Sequence, residues 1–323
     1  MSKLGSSGAQ QSAGASLGHV AALGTIIIWG TTFVATKILL RDFNPVEILF
    51  MRFLLGYLVL LLMHPRIIKP VSIKQELVFA AAGLTGVTLY YLFENIALTY
   101  TYASNVGVLV AISPLFTAIL AHFLIKGERL RLNFVIGFAV AAVGIVLVGF
   151  NGNVVLRLNP LGDILAVLAS LVWAVYSILM KTIMDYRYHA IDCTRRIFFY
   201  GTLFMLPALH YMDFSPSLTD ILKPENLFNL IYLSVGATAL CFWVWNWVVG
   251  VLGTVKTNTY IYAVPVVSII ASALVLKENI TPLAYCGAAL TLVGLYLSER
   301  RQGVGGLLAR FTMKKIARKD ETV

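Results

Sequence analysis

Charge is scarce in this 323-residue chain: Asp, Glu, Lys and Arg make up 12% of it, where a soluble domain carries about 25%. So few charged groups cannot solvate the two or three soluble domains that such a length would otherwise hold. Cysteine is nearly absent as well. Cys193, Cys241 and Cys286 stand alone in apolar surroundings, which excludes a disulfide framework and leaves them as packing residues. No HExxH zinc helix, no GxxxxGK[ST] phosphate loop and no nucleophile elbow in a suitable context occur, so the chain reads as neither an enzyme nor an ATP-driven pump, with no cofactor expected. Uphill movement of a solute would have to draw on an ion or substrate gradient. No basic block sits among aromatics on a soluble domain, so nucleic acid is not an expected partner. The opening MSKLGSSGAQQSAGASLG lacks the charged, apolar, small-residue order of a cleavable signal, and residues 1–17 read as a flexible tail.

What is abundant is apolar surface: 59% hydrophobic residues, with a mean hydropathy of +0.83. A bilayer core about 30 Å thick needs about 20 apolar residues of helix, and helix is demanded because backbone groups in hydrocarbon must pair within their own segment. Runs of this kind lie near 18–40, 45–64, 76–99, 103–125, 132–150, 161–184, 194–212, 227–250, 254–276 and 281–299, predicting an all-α polytopic membrane protein with ten transmembrane helices. Ten crossings put both termini on one side. That side collects Arg66, Lys69 and Lys74, then Lys126, Arg129 and Arg131, then a basic tail from Arg300 to Lys319; the other has Arg41, Arg157, Lys223 and Lys277. The positive-inside bias therefore predicts a multi-pass protein of the cell (inner or plasma) membrane with cytoplasmic N- and C-termini.

The chain also repeats itself. At a shift of 144 residues, GHVAALGTIIIWGTTFVATK (18–37) meets GDILAVLASLVWAVYSILMK (162–181) without a gap, pairing Trp29 with Trp173 and Lys37 with Lys181, and the same shift pairs Arg52 with Arg196. At 151, Asn95 meets Asn246 and Pro114 meets Pro265; at 150, Glu128 meets Glu278, Gly137 meets Gly287 and Gly144 meets Gly294. Each copy has five spans, an odd number, so the second enters the membrane from the opposite face: an inverted repeat, the plan by which many transporters place a binding site near the midplane. The boundaries are 18–150 for the first copy, 151–160 for a linker carrying Asn151-Gly152-Asn153, 161–299 for the second copy, and 300–323 for a basic cytoplasmic segment lying on anionic lipid.

The pair ISPLFTAILAHFLIKGE and AVPVVSIIASALVLKE, each followed by a span carrying GFAVAAVG or GAALTLVG, resembles the ends of the two EamA-type repeats of the drug/metabolite transporter superfamily. GDILAVLASLVWAVYSILMK and NWVVGVLGTVKTNTYIYAVP are similar to the opening and middle of the second such repeat. The resemblance runs from Gly18 to Ser298. It implies a secondary transporter, and the outward direction and amino-acid substrates come from it rather than from the residues. A small-molecule substrate and membrane lipids are the expected partners.

Ionisable residues inside a span cost about 2.5–3.5 kcal/mol each at mid-helix and so face a cavity or a partner. Arg52, well inside span 2, and Glu94, in YYLFENIAL of span 3, are the leading pair of candidates; Lys37, Arg196 and Lys256 lie nearer span ends, where long side chains snorkel. Lys37 and Glu94 fall at a similar depth and are expected to be within reach of each other. Trp29 and Trp173 match under the repeat at mid-span, and Tyr176 and Tyr262 add rings to a prospective cavity between spans 1 to 4 and 6 to 9. Asn95, Asn246 and Ser113 bring polar groups to depth, with interhelical bonding as the plain alternative to ligand contact. Pro114 and Pro265 are read as matched kinks in spans 4 and 9, and Asp163 as a helix N-cap. Small-residue faces at Gly137 and Ala141, and at Gly287 and Thr291, predict close contact of spans 5 and 10, either within one subunit or between two subunits of a homodimer.

Overall fold

Backbone pairing within each segment makes every regular element among the described residues a helix. The computed structural model describes residues 3–66, 72–100, 103–125, 127–128, 132–149, 160–276 and 281–299; the turn at 151–153 and the basic segment after 299 lie outside them. The helices are α1 (Lys3–Leu39), α2 (Pro45–Met63), α3 (Ile73–Tyr100), α4 (Ala103–Val110), α5 (Ser113–Leu124), α6 (Leu132–Gly149), α7 (Pro160–Asp185), α8 (Ala190–Tyr211), the short α9 (Leu218–Ile221), α10 (Pro224–Leu252), α11 (Thr254–Thr259), α12 (Val264–Leu276) and α13 (Pro282–Glu299). Six stretches are long and apolar enough to cross a membrane, and α5, α6 and α13 supply shorter apolar ones. Their outer faces leave Val20, Ile27, Leu62, Phe123 and Leu274 exposed, as lipid-facing surface would be. The expected tail is helical from Lys3: no proline interrupts 3–17, so the first helix continues backwards by propagation despite Gly5, Gly8 and Gly14.

Local chemistry sets the boundaries. Asn44 caps α2, its side chain accepting from the Val46 and Glu47 amides while Glu47 returns a bond to the Asn44 N–H, with Pro45 in the first turn, which satisfies amides that the helix start leaves unpaired. Span 4 is interrupted at 111–112, whereas span 9 stays helical throughout and changes only its winding. α4 stops at Val110 and α5 begins at Ser113; α11 passes through a 3₁₀ turn, Tyr260–Ala263, into α12. Pro114 thus stands in the first turn of a second half-helix, where a missing N–H leaves no bond unmade, while Pro265 follows directly on the 3₁₀ turn inside span 9. Two further irregularities also match across the repeat: π-helical segments at Leu84–Leu89 in α3 and Tyr232–Leu240 in α10, a form that concentrates at functional sites.

The halves interleave. α1 packs on α10 and α12, and α2 on the π segment of α10; α7 packs on α3, α4 and α5, and α8 on α3. Each half's first two helices are therefore held by the other half's third and fourth. α6 and α13 pack on each other, so closely that a β-carbon on Gly144 would lie 2.5 Å from the Thr291 nitrogen and one on Gly294 2.4 Å from the Ala141 nitrogen. The small-residue faces expected on spans 5 and 10 are used up within one chain. A homodimer through spans 5 and 10 would have to use their other faces. Asp163 lies in the first turn of α7 with neither carboxylate oxygen hydrogen-bonded; it is not the N-cap that the sequence predicts, because the helix starts upstream at Pro160.

Candidate functional site

The two tryptophans matched by the repeat meet in the buried core. Trp29 on α1 and Trp173 on α7 stand edge to face, with ring centroids 5.4 Å apart at 88°, a favourable arrangement of two π systems. Each indole N–H is anchored: Trp29 Nε1 donates to the Ala237 carbonyl of the α10 π segment at 2.9 Å, and Trp173 Nε1 to Asn258 Oδ1 at 2.9 Å. Beside them Trp29, Thr32, Phe33, Tyr90, Tyr91, Glu94, Val110, Trp173, Ile261 and Val264 line a cavity with about 30 Å³ free, room for one water and too little for a metabolite. The wall is made of aromatic rings and the aliphatic Val110, Ile261 and Val264, with Thr32 and Glu94 as the exceptions. Glu94 is 2% exposed and is hydrogen-bonded by Tyr90, one turn back on the same helix, with Arg52 as the cation whose charge reaches it.

Arg52 is completely buried. Its Nε donates to Thr238 Oγ1 in the α10 π segment at 2.9 Å, and its guanidinium carbon lies 4.4 Å from the Tyr91 ring centroid and 5.4 Å from that of Phe53. The Tyr91 hydroxyl is beside it, yet neither Nη1 nor Nη2 meets an acceptor in hydrogen-bond geometry. A buried charged donor left unpaired costs upward of about 1–3 kcal/mol, and an uncompensated charge costs more. Arg52 does not line the cavity; the Tyr91 ring lies between.

Other residues singled out from the sequence lie elsewhere. Tyr176 touches Trp173 with centroids 5.1 Å apart, and its hydroxyl donates to Asn246 Oδ1 at 2.8 Å while Asn246 Nδ2 donates to Thr194 Oγ1 at 2.8 Å. Asn95 Nδ2 donates to the Pro45 carbonyl at 3.1 Å. The matched asparagines thus tie α3 to α2 and α10 to α8. Ser113 Oγ donates to the Val110 carbonyl freed by the break in span 4, at 2.6 Å. Tyr262 is buried with its hydroxyl unpaired, near Phe138. Lys37 Nζ donates to the Leu98 carbonyl at 2.6 Å, a turn beyond Glu94. Lys256 approaches His19 Nε2 at 3.0 Å, and Arg196 bonds Glu76 through Nε at 3.0 Å and Nη2 at 2.5 Å, in contact with the same carboxylate as Tyr200; neither reaches the cavity. Sequence reasoning missed Tyr90, Tyr91, Thr238 and Asn258. For the first, the four-residue spacing from Glu94 was a usable signal; the others act across helices whose register no spacing reveals.

The two ends of the bundle are held by polar clasps. Where α2 begins, Glu47 Oε1 accepts from the Ser215 N–H at 3.0 Å and Asn44 Nδ2 donates to the Met212 and Asp213 carbonyls, 3.3 Å each. Nearby, Asp42 accepts from Asn226 Nδ2 at 2.7 Å and pairs with Lys223 at 2.9 Å. The Asn226 amide, then Lys223, hold the Asp42 carboxyl below the usual carboxylate range, and Lys223 is raised by Asp220 and then Asp42. Where α2 ends, His64 Nδ1 meets Asp192 Oδ1 at 2.8 Å, Arg195 Nη2 donates to the same oxygen at 3.4 Å, and Arg195 Nη1 bonds the His64 carbonyl.

Apolar helices in two interleaved copies, around a small cavity that holds a buried acid, with a buried base behind its wall, fit a multi-pass membrane transporter. The model of the EamA-like transporter family matches residues 16–150 and again 160–300, and the chain belongs to that family; it is a transporter and not an enzyme. An "uncharacterized transporter" of Archaeoglobus fulgidus is 29% identical over 86% of this chain and 96% of its own. A "probable terminal-alkyne amino-acid exporter" of Streptantibioticus cattleyicolor is 25% identical (86% and 91%), and a "probable amino-acid metabolite efflux pump" of Escherichia coli 26% (86% and 93%). A crystal structure sharing 21% identity superposes with a TM-score of 0.70 over 92% of this chain and 99% of that one, a likeness of fold.

Proposed function

We propose that this chain is a secondary transporter of small anionic or zwitterionic metabolites, amino acids included, moved outward by alternating access across ten crossings with both termini in the cytoplasm. The observation that carries this reading is the opposed pair Glu94 and Arg52, buried at the level of an aromatic cavity where the bilayer would make either charge alone expensive. Glu94 suits an ammonium group; Arg52 suits a carboxylate. The relatives named as amino-acid exporters support the substrate class and the direction. The cavity is nearly closed, so loading a metabolite requires one side to open, and the interleaved packing makes the moving bodies mixed sets of helices from both copies.

Counterflow in proteoliposomes tests this: zwitterionic solutes trapped inside should drive exchange of the labelled solute, Arg52→Ala should abolish it, and Glu94→Gln should reduce it less. The reverse order would point to cationic or aromatic drugs as the cargo. No exchange of any solute would leave a receptor or scaffold.

A further inference from the structure

The free valences of Arg52 are more specific than a general need for charge. A guanidinium presents a planar fork that fits a carboxylate through two parallel N–H bonds. Here the Nε bond to Thr238 at 2.9 Å fixes the plane of that fork, while Nη1 and Nη2 form no bond of good geometry and have the Tyr91 hydroxyl and the Glu94 charge as their polar neighbours. A third unpaired buried donor lies on the same seam between α2 and α10: the hydroxyl of Ser234, one turn before Thr238. The seam is tight because Gly56, one turn after Arg52, has no side chain; a β-carbon there would lie 2.9 Å from Thr238 Cγ2 and 3.3 Å from the Ser234 carbonyl oxygen. Among the described residues, Tyr91 is the one ring that both lines the cavity and lies against the guanidinium.

We propose that Arg52 Nη1 and Nη2 form an anion subsite behind the Tyr91 ring, and that it takes the carboxylate of the transported solute while the opposite, ammonium end stays on Glu94 in the cavity. The proposal rests on the transporter reading and deepens it: the substrate carries a carboxylate and an amine together, and displacement of Tyr91 is part of loading. A simple amine of the same bulk then fills the cavity but leaves the fork unpaired, and a site built for hydrogen bonds discriminates strongly against such an analogue. A small inorganic anion shares the chemistry, so the test separates the two.

Purified full-length protein in sodium methanesulfonate is titrated with sodium acetate, and separately with sodium chloride, at constant ionic strength. The readouts are thermal stability and tryptophan emission, since Trp29, Trp173 and Trp245 cluster together. Acetate is expected to give a saturable response, stronger than chloride. Arg52→Gln should raise the half-saturating concentration about tenfold or more, as loss of charge-assisted bonds does, and Arg52→Lys, which keeps charge without the fork, should also weaken it; Glu94→Gln should still respond. A flat acetate titration in the wild type overturns the proposal, as does a folded Arg52→Gln protein that responds like the wild type. Should Arg52→Gln fail to fold, an unchanged half-saturation in Arg52→Lys overturns it instead. Chloride binding as well as acetate would assign the site to an inorganic anion and overturn the carboxylate assignment. Acetate binding through Arg52 without zwitterion counterflow would sink the transport reading and keep the subsite; counterflow with a flat titration would do the opposite.

Discussion

A β-carbon on Gly86 would lie 2.2 Å from the ring of Tyr176, and that ring presses on Trp173 and so on the cavity wall. The glycine lies in the π segment of α3, and nothing larger would let α7 approach so closely. Gly86→Ala should therefore destabilise by about 1–3 kcal/mol, seen as a lower Tm in detergent, and should impair counterflow by shifting Trp173. Tyr176→Phe keeps the ring and loses only the bond to Asn246 at 2.8 Å, so it should cost about 1 kcal/mol. Trp29, Trp173, Arg52 and Glu94 were legible in the sequence because rarity marks them: large rings matched by an internal repeat, and charges inside apolar runs. Gly86 and Thr238 were not, since their importance comes from neighbours far along the chain. The pairing of Glu94 with Lys37 was misjudged for the same reason. Depth along a helix is readable from sequence, but rotation about its axis is not, and rotation turns Glu94 to Arg52.

The interior prolines show the same division between elements. Their symmetry was plain from the repeat; whether they bend or divide their helices depends on where the freed carbonyls find donors. In span 4 the Val110 carbonyl takes the Ser113 hydroxyl, so the break at 111–112 is satisfied locally and Pro114 serves as a first-turn residue. Pro114→Ala should then be mild, below about 1 kcal/mol, an effect arising mainly in the unfolded chain; a proline that forced a kink would instead change the helix on removal. Thermal unfolding of Pro114→Ala beside Ser113→Ala distinguishes the two, with the serine variant the more harmful because it leaves a buried carbonyl unpaired. The π segments carried no sequence signal that was read, yet they supply both Ala237, which anchors Trp29, and Thr238, which anchors Arg52.

For the whole molecule, the repeat made two copies legible but not their interleaving, which follows from which faces are complementary once both copies are present. It also makes α2 and α8, counterparts under the repeat, clasp each other at both ends through a carboxylate in the first turn of each: Glu47 on the Ser215 N–H, and Asp192 on His64. At the α1–α2 turn the Asp42 cluster adds a pH window. The Asp42 carboxyl is held below its ordinary 3.8 and Lys223 above its ordinary 10.5, so the first contribution is complete above about pH 4 and lost as pH falls through the lowered value, and the second is lost as pH rises through the raised one. Amide exchange in 213–224, corrected for intrinsic rate, should quicken at pH 3, and Asp42→Asn should remove that acid sensitivity with little change in Tm, since exposed pairs contribute little. The His64–Asp192–Arg195 clasp can be tested through its neighbour. Cys193 is fully buried beside Asp192, so its reaction with a maleimide reports opening of that end alone. Loss of a charge-assisted bond worth about 1.5 kcal/mol raises an open population about tenfold. Asp192→Asn should thus speed Cys193 labelling by about that factor, with a Cys241→Ser, Cys286→Ser background making the signal specific. Glu47→Gln, which loosens the opposite end, should leave labelling unchanged or slow it, because a machine that opens one face at a time closes this face when the other is freed.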